Sequence, residues 1–219
     1  VEEGRRHRVQ EFRSQTPGER FTALYREAGT TAALGRPPVM LPLGRGVGGT
    51  TLVNSGTCFR TPQAVVRHWY EQAGFAVAEP SAFDQLLDEV WHMLGVAPSP
   101  ADVLGANARA VLDGAARLGW DASPLQRNAP GCGGCCQCAV GCPRNAKAGV
   151  HLNALPDACE AGARILSEAR VERILIERGR AVGILARRRD GTELRIAAPL
   201  VLIAAGATET PPLLRRSGC

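Results

Sequence analysis

The chain has 219 residues, a net charge of +5, 45% hydrophobic and 21% charged residues. These proportions suit a folded globular chain, and no apolar run approaches the roughly 20 residues that a membrane-spanning helix needs. The excess charge is spread along the sequence, without the basic stripe interleaved with aromatics that nucleic-acid binding uses. Lys147 is the only lysine, and every other basic residue is arginine.

Val1-Glu2-Glu3-Gly4 opens without Met, signal-peptide pattern or helix cap, and Ser217-Gly218-Cys219 follows directly on an apolar helical pattern. An internal piece of a longer protein, incomplete at both ends, is the expectation. Glu2-Glu3-Gly4 reads as a strand end entering a turn. An acidic residue at that place in a Rossmann unit accepts hydrogen bonds from ribose hydroxyls. Residues 5–38 are polar, weakly helical over Phe21–Ala28, and broken by Gly35 and Pro37-Pro38.

Gly44-Arg45-Gly46-Val47-Gly48-Gly49-Thr50-Thr51-Leu52-Val53-Asn54-Ser55-Gly56-Thr57 follows. Glycines permit close backbone approach to a ligand, and exposed amides with small hydroxyls suit a phosphate-bearing or planar aromatic cofactor. Thr61-Pro62 then starts a helix whose apolar face is Val65, Val66, Trp69, Tyr70 and Ala73, ending at Gly74. A second helix begins at Ser81 and stops at Gly95, a third runs from about Ala101 to Leu118, and these helices are expected as core-forming scaffold. Residues 123–150 read as loop. Short β segments follow at Ala169–Glu177, Ala181–Arg187 and Thr192–Ala197, with turns at Arg178-Gly179 and Asp190-Gly191. Leu200–Ala204 reads as a strand buried on both faces, and Thr208 as the cap of a helix through Leu214.

Two stretches carry a resemblance. Gly44, Arg45, Val47, Gly48-Gly49, Thr50-Thr51, Val53 and Asn54 resemble the first signature of the glucose-methanol-choline (GMC) family of FAD-dependent oxidoreductases. Cys58 stands where that pattern expects an aromatic. Gly206-Ala207-Thr208-Glu209-Thr210-Pro211-Pro212-Leu213-Leu214-Arg215-Arg216-Ser217-Gly218 resembles the second. The closest branch is that of bacterial long-chain alcohol and glucose oxidase-like members.

The resemblance implies an α/β fold, a Rossmann-like FAD-binding domain with a helical, Cys-rich inserted segment. It divides the chain into residues 1–79 and 160–219 as the two parts of the FAD domain and 80–159 as the insertion. It places Glu2 on the ribose and Arg45, Gly48, Gly49 and Thr50 along the pyrophosphate. Asn54 falls at the flavin edge, Val171 on the adenine side, and Gly206 and Ala207 at the second signature's turn. The implied reaction is oxidation of a CH–OH group of an alcohol, sugar or sterol by hydride transfer to flavin N5, with oxygen or an acceptor protein taking the electrons. The family's catalytic histidine has no counterpart here, so the chain alone is expected to be inactive. A cytoplasmic location is expected.

Cys132-x2-Cys135-x2-Cys138-x3-Cys142-Pro143 has the spacing of a bacterial ferredoxin run, with Cys136 as a fifth thiol. Three readings stay open: an iron–sulfur cluster on Cys132, Cys135, Cys138 and Cys142, a tetrathiolate zinc site on the same residues, or a reduced, packed loop. The first of these also supports a rival function, an iron–sulfur electron carrier or relay subunit centred on the run.

Overall fold

The computed structural model describes residues 1–76 and 79–219. They form two compact units. The first gathers Val1–His7, Arg45–Gly49 and Ala158–Cys219, and the second Arg8–Gly44 and Thr50–Asp157. No helix among the described residues is long and apolar enough to cross a membrane.

The first unit is built on three antiparallel strands, β5 (Ala169–Glu177), β6 (Arg180–Arg188) and β7 (Glu193–Ala197), in the order β5-β6-β7. The β5–β6 connection is two residues long. Arg178 and Gly179 both take positive φ, 51° and 76°. That is the type I′ geometry whose twist matches paired strands. Asp190 makes the next turn by accepting from the Thr192 amide at 2.9 Å. Helix α7 (Thr210–Ser217) packs on β5: its Ser217 hydroxyl accepts from the Ile174 amide at 2.9 Å and donates to Leu213 at 2.7 Å. Ala169, Ile174, Ala186 and Leu213 are buried and fill the space this packing encloses.

The second unit is mostly helical. It contains α1 (Val9–Ser14), α2 (Pro17–Leu24), α3 (Gln63–Glu71), α4 (Pro80–Met93), α5 (Ala106–Leu118) and the start of α6 (Ala154–Glu160). Two short ladders accompany them, β1 (Ala32–Ala33) with β2 (Val39–Met40) and β3 (Ala97–Pro98) with β4 (Gln126–Arg127). Thr16 and Glu19 close a reciprocal capping box at the start of α2, with Pro17 in its first turn. Phe12, Leu24, Tyr25, Leu52 and Val53 form the core of this unit.

Two expectations change. Leu200–Ala204 forms no strand; Leu200 is 70% and Leu202 84% exposed. A strand buried on both faces needs neighbours on both edges, and all strand pairing among the described residues is antiparallel and elsewhere. The parallel sheet of a Rossmann unit is therefore not built by these residues. Helices α3 and α4 also bury less than core scaffold would. Val66 is the buried residue of α3, and α4 has none. They meet along one seam, with Trp69 edge-on to Phe83 and Gln63 donating to Asp84. A seam between two helices covers only a narrow stripe of each.

Candidate functional site

In the first unit, the Glu2–Gly4 turn is fixed from two sides. The Glu2 carboxylate accepts from the Gly4 amide at 2.7 Å, which orients the side chain and leaves lone pairs for another donor. The Glu2 backbone joins Leu166 and Ala169, and the Gly4 carbonyl accepts from Glu168. Residues 45–49 lie against this turn: the Val47 amide donates to the Arg5 carbonyl at 3.1 Å. A Cβ on Gly4 would lie 2.5 Å from the Gly46 nitrogen, so this close approach of two backbones needs glycine. Gly46, Gly48 and Gly49 take φ of 149°, 111° and 52°. A Cβ on Gly49 would meet nothing within 4 Å, so its Cα faces open space, while its amide donates to the Gly46 carbonyl at 2.8 Å.

Arg170 draws the other expected residues of this unit to the same place. Its guanidinium reaches Glu3 at 3.8 Å and Glu209 at 3.5 Å. Val171 is the next residue along β5, paired with Ala186. The Gly206-Ala207 turn precedes α7, the Gly206 carbonyl accepting from Thr210 at 3.0 Å. Glu2, Arg45, Gly48, Gly49, Val171, Gly206 and Ala207 thus belong to one unit, in which Arg170 bridges Glu3 beside the acidic turn and Glu209 at the entry of α7.

Thr50 and Asn54 belong to the second unit. The Thr50 hydroxyl accepts from the Gly44 amide at 3.2 Å and closes the loop. Asn54 and Ser55 are exposed, whereas Leu52 and Val53 are buried beneath them. Four residues from 127–150 hold this stretch from behind. Arg127 donates to the Ser55 carbonyl at 2.7 Å. Asn128 exchanges a backbone bond with Gly56, and the Val150 amide donates to the Thr51 hydroxyl. Lys147, 2% exposed, donates to the carbonyls of Leu52 at 3.0 Å, Asn54 at 2.6 Å and Cys138 at 2.9 Å. Burial holds its ammonium down at a pKa of about 8, against an upward pull from Cys138 and Cys142.

The five thiols of the Cys132–Cys142 run line a cavity of about 480 Å³ together with Arg127, Arg144 and Lys147 and without a carboxylate. Among the described residues no group of three or more His, Cys, Asp or Glu side chains is gathered to hold a metal ion. The expected metal set of Cys132, Cys135, Cys138 and Cys142 is therefore not supported. One reason is visible in the geometry. The Arg127 guanidinium takes up the thiols, donating to Cys138 at 3.0 Å and Cys132 at 3.8 Å. Burial pulls Arg127 down, and its contacts with Cys138 and Cys132 more than offset this, so it stays above its ordinary value.

Sequence reasoning missed Arg127 and Lys147. The available signal was Lys147 itself, one lysine in a chain that otherwise uses arginine. An ammonium offers three tetrahedral donors and can converge on three carbonyls, which a planar guanidinium cannot.

An acidic turn, a glycine-rich loop and the turn that leads into α7 thus lie in one α/β unit. The GMC oxidoreductase family model matches residues 21–219, and the chain belongs to that family. It is 61% identical over 218 residues to an uncharacterized GMC-type oxidoreductase of Mycobacterium tuberculosis, covering 100% of this chain and 35% of the relative. It is 28% identical over 191 residues to a long-chain-alcohol oxidase of Arabidopsis thaliana, covering 82% of this chain and 26% of that protein. The chain thus spans about a quarter to a third of the length of these relatives. Its fold is similar to that of pyridoxine 4-oxidase from Mesorbium loti, with a TM-score of 0.69 at 19% identity, over 99% of this chain and 46% of that one.

Proposed function

We propose that this chain is the FAD-holding part of an oxidoreductase that acts on the CH–OH group of an alcohol. The observation that carries the reading is the Glu2–Gly4 turn seated against residues 45–49, where a Cβ on Gly4 would meet Gly46. Two backbones brought this close beside a free-facing Gly49 and a carboxylate fixed by its own turn suit the ribose and pyrophosphate of a dinucleotide.

On this reading Glu2 accepts from ribose hydroxyls through the lone pairs its Gly4 bond leaves over. Arg45 and the backbone of Gly48 and Gly49 neutralise phosphate charge, and Val171 and Gly206-Ala207 bound the cradle on the strand and helix side. The family resemblance adds Thr50 to the phosphate contacts and Asn54 to the flavin edge. Bound FAD would supply the acceptor for the hydrogen and electron pair that leave the alcohol carbon. The proton from the alcohol oxygen needs a base, and no residue of this chain is assigned that role. Resemblance to long-chain-alcohol oxidases favours an aliphatic alcohol as donor, and residues 80–159 are assigned to an insertion outside the FAD domain.

The test is cofactor content. The full natural polypeptide carrying this sequence, purified with its FAD, is expected to hold about one flavin per chain and to lose most of it when Glu2 and Gly49 are replaced (E2A, G49V). Unchanged flavin content in both variants would overturn the assignment of these residues.

A further inference from the structure

The thiol-lined cavity, the exposed Leu200–Leu202 segment and the half-exposed faces of α3 and α4 contain nothing that names an occupant. The buried lysine is different, because each of its bonds leads to a stated place. We propose that Lys147 is a positioning residue for the cofactor-facing stretch Leu52–Ser55, a role that rests on the FAD reading above.

Lys147 is fully covered, and its three donors meet three backbone carbonyls, those of Leu52, Asn54 and Cys138. All its hydrogen bonds are thereby satisfied, yet no carboxylate neutralises it. Among the residues lining the adjoining cavity, the ionisable groups are thiols and the cations Arg127 and Arg144. A methionine of similar length would fill the space at lower desolvation cost. What the ammonium adds is direction. A trans peptide unit is planar, so its N–H points opposite its C=O. Drawing the Asn54 carbonyl onto Lys147 turns the Ser55 amide the other way. Drawing the Ser55 carbonyl onto Arg127 does the same for the Gly56 amide. Asn54 and Ser55 are exposed and Gly56 is buried, so the outer side of the stretch offers the Ser55 amide while two cations stand behind it. That arrangement favours a ligand whose charge becomes more negative, as a flavin's does on reduction.

The bond to Cys138 links this stretch to the cysteine run, and it gives that run a purpose independent of metal. The Cys138 carbonyl and thiol each take a donor from one of the two cations, so the loop is part of the backing of the Gly-rich stretch.

Two measurements test this on the FAD-loaded natural polypeptide and on its FAD-free form. In the FAD-free form, amide hydrogen exchange over residues 52–57 is expected to be slow in the wild type. It should quicken at least roughly tenfold in Lys147→Met and in Lys147→Arg, while β5 and β6 amides keep their rates. In the loaded form, the equilibrium between oxidised and reduced flavin is expected to shift about tenfold toward oxidised in Lys147→Met. If Lys147→Met does not accumulate as folded protein, Lys147→Gln carries the same comparison, since it keeps two donors and loses the charge. Its exchange over residues 52–57 should be faster than in the wild type, and its flavin equilibrium should shift about tenfold toward oxidised. Fast exchange at 52–57 in the wild type, or an unshifted flavin equilibrium in a folded variant, would overturn the proposal. A polypeptide that binds no FAD but shows the exchange pattern would overturn the FAD reading and leave the clamp standing.

Discussion

The Nζ of Lys147 donates to the backbone carbonyl of Asn54 at 2.6 Å, across 93 residues of sequence. This bond joins the end of the cysteine run to the exposed end of the glycine-rich stretch. Lys147 also holds the Leu52 and Cys138 carbonyls, so one ammonium ties the two segments together.

Replacing Lys147 by methionine is expected to destabilise the second unit by about 2–4 kcal/mol, because three buried carbonyls lose their donor at once. Urea unfolding followed by tryptophan fluorescence reads this directly. Lys147→Arg should recover little of the loss, since a planar fork cannot meet three converging carbonyls.

The same lysine gives a pH signature. Its folded pKa is lowered from the ordinary 10.5 to about 8 by burial. Below pH 8 both folded and unfolded forms are charged, and the burial penalty is fully present. Between pH 8 and 10.5 the folded chain has released a proton that the unfolded chain keeps, so stability from this group rises with pH. The stability advantage of the wild type over Lys147→Met should therefore widen across that window. An advantage that narrows would show that something other than desolvation governs this lysine.

Gly4→Ala is a test of the first unit. The added methyl would lie 2.5 Å from the Gly46 nitrogen and 2.6 Å from its Cα, a contact that only backbone movement relieves. A loss of about 2 kcal/mol or more is expected, with a fall in bound FAD that exceeds what the lower melting temperature explains. Gly18→Ala, where nothing lies within 4 Å of the new Cβ, is the control and should change neither.

Leu24 is completely buried in the second unit's core beside Phe12, Tyr25, Leu52 and Val53. Leu24→Ala should cost about 2–5 kcal/mol by chemical denaturation. Because Leu52 shares this core, faster exchange at residues 52–54 should accompany the loss.

The sheet of the first unit was legible in the chain because local chemistry specifies it. Arg178-Gly179 and Asp190-Gly191 separate alternating segments at hairpin spacing, and β5, β6 and β7 fall where those segments lie. Helix α7 lies where a Thr208 cap and a helix through Leu214 were expected, but it starts at Thr210 with Glu209 at the cap position and runs on to Ser217. The α2 helix was misplaced toward Phe21–Ala28. The capping box of Thr16 and Glu19 starts it earlier, it ends at Leu24 where Tyr25 turns extended, and Glu27 and Ala28 beyond it take positive φ. Leu200–Ala204 carries a buried strand's composition, but a strand also needs partners, and composition says nothing of whether they are present. The residues brought together by Arg170 were named one by one from resemblance. The ion pairs that gather them join positions 3, 170 and 209, and no local pattern encodes such a contact. The cysteine spacing drew attention to ligands, whereas the structure puts an arginine between the Cys132 and Cys138 thiols and a lysine on the Cys138 carbonyl.

The central claim is a flavin that accepts hydrogen from an alcohol, and one titration addresses it most directly. The full natural polypeptide carrying this sequence is purified and mixed anaerobically with a long-chain primary alcohol while its visible absorption is followed. The account predicts a bound-flavin spectrum that bleaches in proportion to the alcohol added and returns when an electron acceptor is admitted. A protein purified without flavin that takes up none from added FAD would contradict it.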